Sequence, residues 1–306
     1  PLSWLARLPC TCCMIPSLMP FPQLCSWLSW SSWSGPLADL ATRQKWSRLD
    51  FDFGWKVLIC RKSGYITSMQ ENLFEAGKNE LIVRGQSVDR DMVEDLQAQS
   101  TASSPLQFAG CDFVAKDFTE ADFTGCHFTD CTFPTFSARH LLAAESQWLN
   151  CRLGGADFIE ADFTDARFEG CDLSNSVWRG AKLTSARFEK CRMTGVSLTQ
   201  SHSVGLELED CALVMADLQG LSFRRQTLNN LDLSEADLAK VDFRDCIFQN
   251  CKMRDARCLD SRFQGADLRA VDMCGITLDQ AMTLKGAIIS KDQASSLLAG
   301  FGLQVL

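Results

Sequence analysis

The stretch Ala156-Asp157-Phe158-Ile159-Glu160-Ala161-Asp162-Phe163-Thr164-Asp165 decides the fold, because it contains the same five-residue unit twice. Each unit has a small residue, a polar residue and a large apolar residue, followed by two further residues. A period of five matches neither the helical period of 3.6 nor the alternation of a continuous strand. Residues two apart in an extended segment point the same way. The unit therefore predicts short extended segments whose small and large side chains face inward, joined by corners.

On both sides of this stretch, a large apolar residue recurs every five residues, from Phe108 to Leu278. The exceptions are Ala138, Ala143, Ser203 and Cys258, and none of them shifts the phase. An unbroken short repeat of this kind predicts a solenoid whose coils stack through backbone hydrogen bonds.

The unit resembles that of the pentapeptide-repeat proteins, whose consensus is Ala-Asp/Asn-Leu/Phe-x-x. The resemblance implies an all-β fold, a right-handed quadrilateral β-helix with twenty residues per four-sided coil. We place this solenoid at residues 106–280 and an N-terminal lead-in at 69–105.

Residues 281–306 are predicted to form a C-terminal cap with a short helix. Ser290-Lys291-Asp292-Gln293 has the form of a capping box, and Ala294, Leu297 and Leu298 follow as an apolar stripe. A solenoid end needs such a cap to cover its core.

Residues 1–68 differ in composition from the rest of the chain. They hold six of the eight tryptophans, and seven basic residues stand against three acidic ones. The sequence begins at Pro1, whereas Met69 opens a more polar segment. The hypothesis is that 1–68 is not part of the natural protein; the alternative is a disordered or poorly packed extension.

Overall composition argues against several function classes. Thirty basic and 38 acidic residues leave a net charge of −8, which disfavours direct nucleic-acid binding. Three histidines and one tyrosine provide few general acids or bases, and His127, His140 and His202 are scattered. We therefore expect no enzyme activity and no cofactor. The sequence contains no run of 18 uncharged apolar residues, so it predicts no membrane-spanning helix.

Nine of the sixteen cysteines fall at the small inward position, where alanine alternates with them. These are Cys111, Cys126, Cys131, Cys151, Cys171, Cys191, Cys211, Cys246 and Cys251. At that position a thiol acts as a small core-filling group. Two pairs lie five apart, which places their members on adjacent sides of a coil rather than in a CxxC loop, so no metal site is predicted. Many free thiols indicate the reducing cytoplasm.

Aspartate dominates the polar position before the large residue. The predicted partner-binding residues are Asp112, Asp117, Asp122, Asp157, Asp162, Asp172, Asp217, Asp232, Asp237 and Asp242. One interpretation is that aspartate suits turns and solubilises a rod. The other is that regularly spaced carboxylates imitate DNA phosphates and occupy a basic groove. Basic residues at the same position, such as Lys182 and Arg192, make this surface patchy.

Residues 134–147 interrupt the large apolar positions and are predicted to carry specificity for a partner. The segment reads as a short helix or a bulging loop, with Ser137, Arg139, His140 and Glu145 as its candidate contacts. The gap from Phe133 to Trp148 equals three units, so degenerate coils remain an alternative.

The C-terminal tail resembles a subgroup of the same family. Gly286-Ala287-Ile288-Ile289, then Asp292-Gln293-Ala294 and Gly302-Leu303, look like the dimerising tail of Qnr-type and mycobacterial fluoroquinolone-resistance proteins. Residues 203–211 resemble the middle of the Qnr-type repeat. The resemblance implies a homodimer through Leu297, Leu298 and Phe301.

The same resemblance implies a partner, DNA gyrase or topoisomerase IV, that is protected from quinolones or related toxins by a DNA-mimicking rod. It implies no direct contact with nucleic acid or membrane. The alternative is a general interaction scaffold or effector module with no topoisomerase role.

Overall fold

Backbone contacts divide the chain into two units, Pro1–Asn72 and Leu73–Leu306. The computed structural model describes residues 46–51, 55–60, 66–69, 81–97, 105–114, 117–275, 278–300 and 302–304. In the first unit, β1 (Trp46–Phe51), β2 (Trp55–Cys60) and β3 (Ile66–Met69) form an antiparallel sheet in the order β1-β2-β3. These strands lie within or at the edge of the predicted extension 1–68, whose remaining residues fall outside the described ranges.

The second unit is a right-handed, four-sided β-helix, as expected. Connections between parallel strands of one sheet strongly favour a right-handed crossover. Its strands and helices, in chain order, are β4 (Leu81–Arg84), β5 (Ser87–Val88), α1 (Arg90–Gln97), β6 (Leu106–Ala109), β7 (Asp112–Phe113), β8 (His127–Thr129), β9 (Gln147–Leu149), β10 (Arg167–Glu169), β11 (Arg187–Glu189), β12 (Glu207–Glu209), β13 (Thr227–Asn229), β14 (Ile247–Gln249), β15 (Cys251–Lys252), β16 (Val271–Asp272), α2 (Leu278–Thr283) and α3 (Lys291–Gly300).

The register is one coil per twenty residues. In the nine-stranded parallel sheet, Phe128 pairs with Trp148 and Phe168 with Phe188. Four units of five therefore complete one circuit. We name the four sides by the residue at their outward polar position: side 1 for Asp112, side 2 for Asp117, side 3 for Asp122 and side 4 for His127, with every twentieth residue thereafter. The long sheet forms side 4, and sides 1 to 3 are joined mainly by single bridges.

The β-helix begins earlier than the predicted residue 106. Leu81 in β4 pairs with Leu106 in β6, so the first coil has 25 residues. The extra length holds α1, whose Val93 is fully buried and whose Met92 and Leu96 pack on the core. An aspartate N-cap starts this helix, because Asp89 Oδ1 accepts the Met92 N–H at 2.8 Å. Helix α1 thus packs against the core in the first coil.

Large inward side chains stack in columns. On side 4 the ring centroids of Phe108, Phe128, Trp148, Phe168 and Phe188 are separated by 5.2, 4.0, 5.7 and 4.7 Å, with nearly parallel planes. Both buried tryptophans need a partner for the indole N–H. Ser146 Oγ accepts the Trp148 Nε1–H at 2.8 Å, and Ser176 does the same for Trp178 at 2.7 Å.

Residues 134–147 form ordinary coil, so the predicted loop or helix is wrong and the degenerate-coil alternative is correct. Ser137 bridges Asp117 and Asp157 without a break in register. The reason is an exchange of sizes: Phe136 occupies the small inward position and Ala138 the large one, and both are buried. Leu141 and Ala143 repeat the exchange. The inward volume is kept, while the five-residue pattern of large residues disappears.

Six inward cysteines stack in one column on side 1. Cys111, Cys131, Cys151, Cys171, Cys191 and Cys211 are each twenty residues apart, free and buried. Each thiol after the first approaches the carbonyl oxygen of the residue 23 before it in sequence, as Cys171 Sγ does with Trp148 O at 3.3 Å. The five-residue unit predicted the inward position of these thiols, but not their alignment in a single column.

We expect the coil to tolerate a return to the consensus order, with the small residue at position 136 and the large one at position 138. Phe136→Ala should cost about 3–5 kcal/mol through the cavity it leaves, and Ala138→Phe about 1–3 kcal/mol through overpacking. The double variant restores the consensus order and should regain most of the lost free energy of unfolding, measured by urea titration. Leu142→Ala, at an exposed outward site, is the control. Additive losses in the double variant would show that the exchange is not what keeps this coil intact.

We also expect the inward thiols to resist alkylation in the folded protein. Burial, with a smaller contribution from Asp122, raises the pKa of Cys126 to about 12, and burial beside Asp237 does the same for Cys258. Because the thiolate is the nucleophile and the reagent must also reach it, iodoacetamide near neutral pH should modify exposed Cys274 and leave unmodified the ten cysteines that are buried within the described ranges. Peptide mass mapping with and without denaturant measures this; rapid native labelling of Cys171 would contradict the packing.

Candidate partner-binding surface

The predicted aspartates first serve the corners of the coil. In nine of the ten, Oδ1 accepts the backbone N–H two residues on, at distances such as 2.8 Å from Thr119 to Asp117 and 2.9 Å from Thr124 to Asp122. Asp112 is the exception. Short polar side chains commonly close turns in this way. The regular aspartates therefore have a structural cause that is independent of any partner.

Many of these carboxylates are also paired with a cation. Lys182 Nζ lies 2.9 Å from Asp162 Oδ2 one coil away, and Lys252 Nζ lies 3.2 Å from Asp232 Oδ2. Asp157, Asp172 and Asp237 pair with arginines of a neighbouring coil, and Asp242 pairs with Arg244 two residues on. Such exposed pairs add little to stability, but they offset the negative charge that a basic partner would meet.

Four predicted aspartates have no ion pair with any described residue: Asp112, Asp117, Asp122 and Asp217. Three of them lie in the first coils. Charge is distributed unevenly in the same sense, since residues 81–150 hold ten acidic and four basic residues, whereas 151–300 hold 22 and 18. The unbalanced negative charge is thus concentrated at the N-terminal end of the β-helix.

The ten aspartates occupy three different sides. Asp117 and Asp157 share side 2 with Asp217 and Asp237, as the twenty-residue spacing predicted. Val177 and Ser197 separate the two pairs on that side, and Arg257 follows them. The acidic surface is therefore a set of short patches.

Hydrogen bonds hold several of these carboxyls in the ionised form. The side chain and backbone of Thr119 lower the pKa of Asp117. At Asp162, partial burial raises the pKa, but the Thr164 hydroxyl and Lys182 outweigh it and the pKa is lowered. A carboxyl with a depressed pKa stabilises the folded state above about pH 4, its unfolded value, and this contribution is lost as the pH falls through the folded pKa.

The four residues predicted for a specificity loop lie on regular coil. Ser137 Oγ is 3.2 Å from Thr119 Oγ1 on side 2, and Arg139 Nε donates to Asp157 Oδ2 at 2.7 Å. His140 and Glu145 occupy corners with φ of 55° and 58°. His140 Nδ1 lies 3.3 Å from Glu160 Oε2. All four are at least partly exposed, but the structure provides no protruding loop on which to present them.

The predicted capping box is formed at the start of α3. Ser290 N–H donates to Gln293 Oε1 at 2.7 Å, and Gln293 N–H donates to Ser290 Oγ at 3.1 Å. Gln293 Nε2 also donates to Leu268 O and Val271 O, which anchors the helix on the last coil. Leu297 packs against the core, and Leu298 is 39% exposed. Phe301, the third predicted dimer residue, lies outside the described ranges.

Two further features bear on function. Within the described ranges, no group of three or more His, Cys, Asp or Glu side chains is arranged to hold a metal ion. Helices α1, α2 and α3 are too short to cross a bilayer, and no other described helix could do so.

Comparison with known sequences and structures supports one family. A model for a pentapeptide repeat region matches residues 142–218, and a model for eight copies of the pentapeptide repeat matches 107–134, 207–245, 216–255 and 244–280. No curated protein sequence matches the chain at a significant level.

Solved structures show the same fold at low identity. Full-length QnrB1, described as a plasmid-mediated fluoroquinolone resistance protein, is 15% identical, with a TM-score of 0.50 over 74% of this chain and 100% of its own. A trypsin-treated variant of QnrB1 is 18% identical, with a TM-score of 0.49 over 66% and 98%. HetL from Nostoc sp. strain PCC 7120 is 17% identical, with a TM-score of 0.44 over 65% and 90%.

The twenty-residue register, the inward small and large columns and these matches define a β-solenoid protein built from five-residue units. The chain belongs to the pentapeptide-repeat family.

The corner role and the charge of aspartate can be separated at Asp162. Asp162→Asn keeps an oxygen for the Thr164 N–H, whereas Asp162→Ala removes it. We expect Asp162→Ala to cost about 1–2 kcal/mol and Asp162→Asn clearly less, measured by thermal unfolding. Lys182→Gln, which removes only the exposed ion pair, is the control and should change the midpoint little. Equal losses for the Asn and Ala variants would mean that charge, not the corner hydrogen bond, explains this aspartate.

Proposed function

We propose that this β-helix is a protein-binding rod whose partner is a type II topoisomerase, DNA gyrase or topoisomerase IV. The observation that carries the proposal is the excess of acidic residues in the N-terminal coils, where Asp112, Asp117 and Asp122 form no ion pair with a described residue. A groove that receives the DNA backbone is lined by basic residues, so it attracts ordered carboxylates by the same electrostatics. The rod imitates DNA over its first coils only, and no catalysis is involved.

The fold similarity to QnrB1 supports this proposal at the level of architecture. QnrB1 is named as a fluoroquinolone resistance protein, and we extend that role to this chain: it protects the topoisomerase from quinolones or related toxins. The many free thiols suit a reducing compartment, and we assign the protein to the cytoplasm.

A second candidate is a general interaction scaffold or effector module with no topoisomerase role. The pairing of Asp157, Asp162, Asp172, Asp232, Asp237 and Asp242 with lysine or arginine favours it. A surface of alternating charges suits a partner that itself carries both signs.

A supercoiling assay with the full chain, with and without a fluoroquinolone, distinguishes the two candidates. The topoisomerase proposal expects rescue of supercoiling in the presence of drug, or inhibition in its absence, at about micromolar protein. No effect on gyrase or topoisomerase IV at that concentration would eliminate it and leave the scaffold.

Charge-removing variants locate the surface. Asn in place of Asp117 and Asp122 keeps the corner hydrogen bonds, so Asp112→Asn/Asp117→Asn/Asp122→Asn should fold and lose about tenfold or more in half-maximal protective concentration. The matched control, Asp162→Asn/Asp172→Asn/Asp232→Asn, removes the same charge from ion-paired sites and should retain protection. Equal loss in both triple variants would refute the N-terminal location.

We further propose that the tail forms a homodimer. Leu298 is exposed beside half-buried Leu297 on α3, and Leu303 after it is 55% exposed, an apolar surface suited to a second copy. Light scattering should report a dimer for the full chain and a monomer for Leu298→Glu. Val204→Glu, at a distant exposed site, should leave the dimer mass unchanged. A Leu298→Glu protein with the mass of a dimer would exclude this interface.

A further inference from the structure

Side 3 of the β-helix is split between two neighbouring coils. Single bridges join Lys182 to His202 and Ser222 to Asp242, but among the described residues none joins His202 to Ser222. On the adjacent side 4, β12 and β13 are paired only at Glu209 and Asn229, whereas β10 and β11 pair at three positions. The wall of the solenoid is therefore open from the middle of side 3 into side 4.

The same opening is visible in the backbone hydrogen bonds. One coil earlier, Leu183 N–H donates to His202 O at 2.8 Å and Ser185 N–H to Val204 O at 2.9 Å. The equivalent bonds of the next coil would run from Ser203 to Ser222 and from Gly205 to Arg224. Neither is formed between these described residues. Their donors and acceptors are left for water, because backbone polar groups seldom remain unpaired.

Polar inward residues accompany the split. Ser201 and Ser203 occupy the small and large inward positions of side 3, and both are only half-buried. Gln226 occupies a small inward position one coil later and is also half-buried. Within the described ranges, the buried Oδ1 of Asn229 has no hydrogen-bond partner. The inward Ser201, Ser203 and Gln226 replace the Ala, Cys, Leu or Phe that seal other coils, so apolar packing across the gap is weak.

The aromatic core is divided at the same place. Inward ring contacts run continuously from Phe108 to Phe188 and resume at Phe223 with Phe243. No Phe, Trp or Tyr occurs between Glu189 and Ser222. Two aromatic-cored segments are thus connected through 34 residues, more than one and a half coils, that carry no inward aromatic ring.

The opposite wall remains closed. On side 1, Arg192 bridges Ala212 and Ala212 bridges Asp232, and on side 2 Ser197 bridges Asp217. The backbone bridges on sides 1 and 2 therefore hold the two coils together, so any widening of the gap on side 3 tilts one coil against the other about side 1.

We propose that this split is a hinge built into the rod. The segments before Gln200 and after Leu221 are rigid, and they change their relative angle by opening on side 3 while side 1 stays paired. Bending at this point breaks few hydrogen bonds, because the backbone bonds that would hold side 3 together are already missing. The hinge lets the two ends of the rod adjust to the surface of a bound partner, and it does not depend on which partner that is.

Hydrogen exchange of the full chain, resolved to single amides by mass spectrometry, tests the hinge. The amides of Ser203, Gly205 and Ser222 should exchange at least about tenfold faster than those of Leu183, Ser185 and His202, which occupy the equivalent positions one coil earlier. Equal protection at the two sets of amides would overturn the proposal, and this measurement needs no variant.

A resealed variant tests the cause. Ser203→Leu/Gln226→Ala restores the consensus inward residues and should slow exchange at Ser222 and Gly205 toward the values one coil earlier. Val204→Thr, an outward change in the same coil, is the matched control and should leave exchange unchanged. A resealed protein that folds, as judged by circular dichroism, yet exchanges as fast as the wild type would refute the role of the polar inward residues.

Discussion

The structure depends on one constraint, the parallel backbone ladder between residues twenty apart. Each coil donates hydrogen bonds to, and accepts them from, the coils on either side of it, so every side chain position is repeated along the rod. This repetition forces inward residues into columns, and a column is stable only if neighbours have compatible volumes. The aromatic stack of side 4 and the thiol column of side 1 are two solutions to that single requirement.

The ladder also explains why aspartate is so frequent on the outside. A corner every five residues creates an N–H that needs an acceptor, and where aspartate precedes the large residue it commonly provides one, as Asp117 does for Thr119. Charge comes with this role whether or not a partner exists. Cations on the next coil, such as Lys182 beside Asp162, then offset much of it, and the acidic excess survives mainly in the first coils.

Departures from the five-residue repeat have different structural consequences, and the sequence pattern alone does not distinguish them. Residues 134–147 look interrupted, yet Phe136 and Ala138 exchange sizes within one side and the ladder continues. Ser203 looks like a single weak position, yet it lies where the ladder is open. The difference is whether the total inward volume is conserved, which depends on the facing residues in the same coil and in its neighbours.

Sequence alone determined the inward and outward positions and the buried state of the nine repeat cysteines, because small and large residues two apart in an extended unit face the same way. The four-sided coil was implied by the resemblance of the unit to the pentapeptide repeat. The sequence also predicted the Ser290–Gln293 capping box, a local motif. Only the tertiary structure decided which aspartates keep a free charge, that α1 packs into a first coil of 25 residues, and where the wall opens. These depend on residues twenty or more apart meeting across coils, and the chain pattern does not report such contacts.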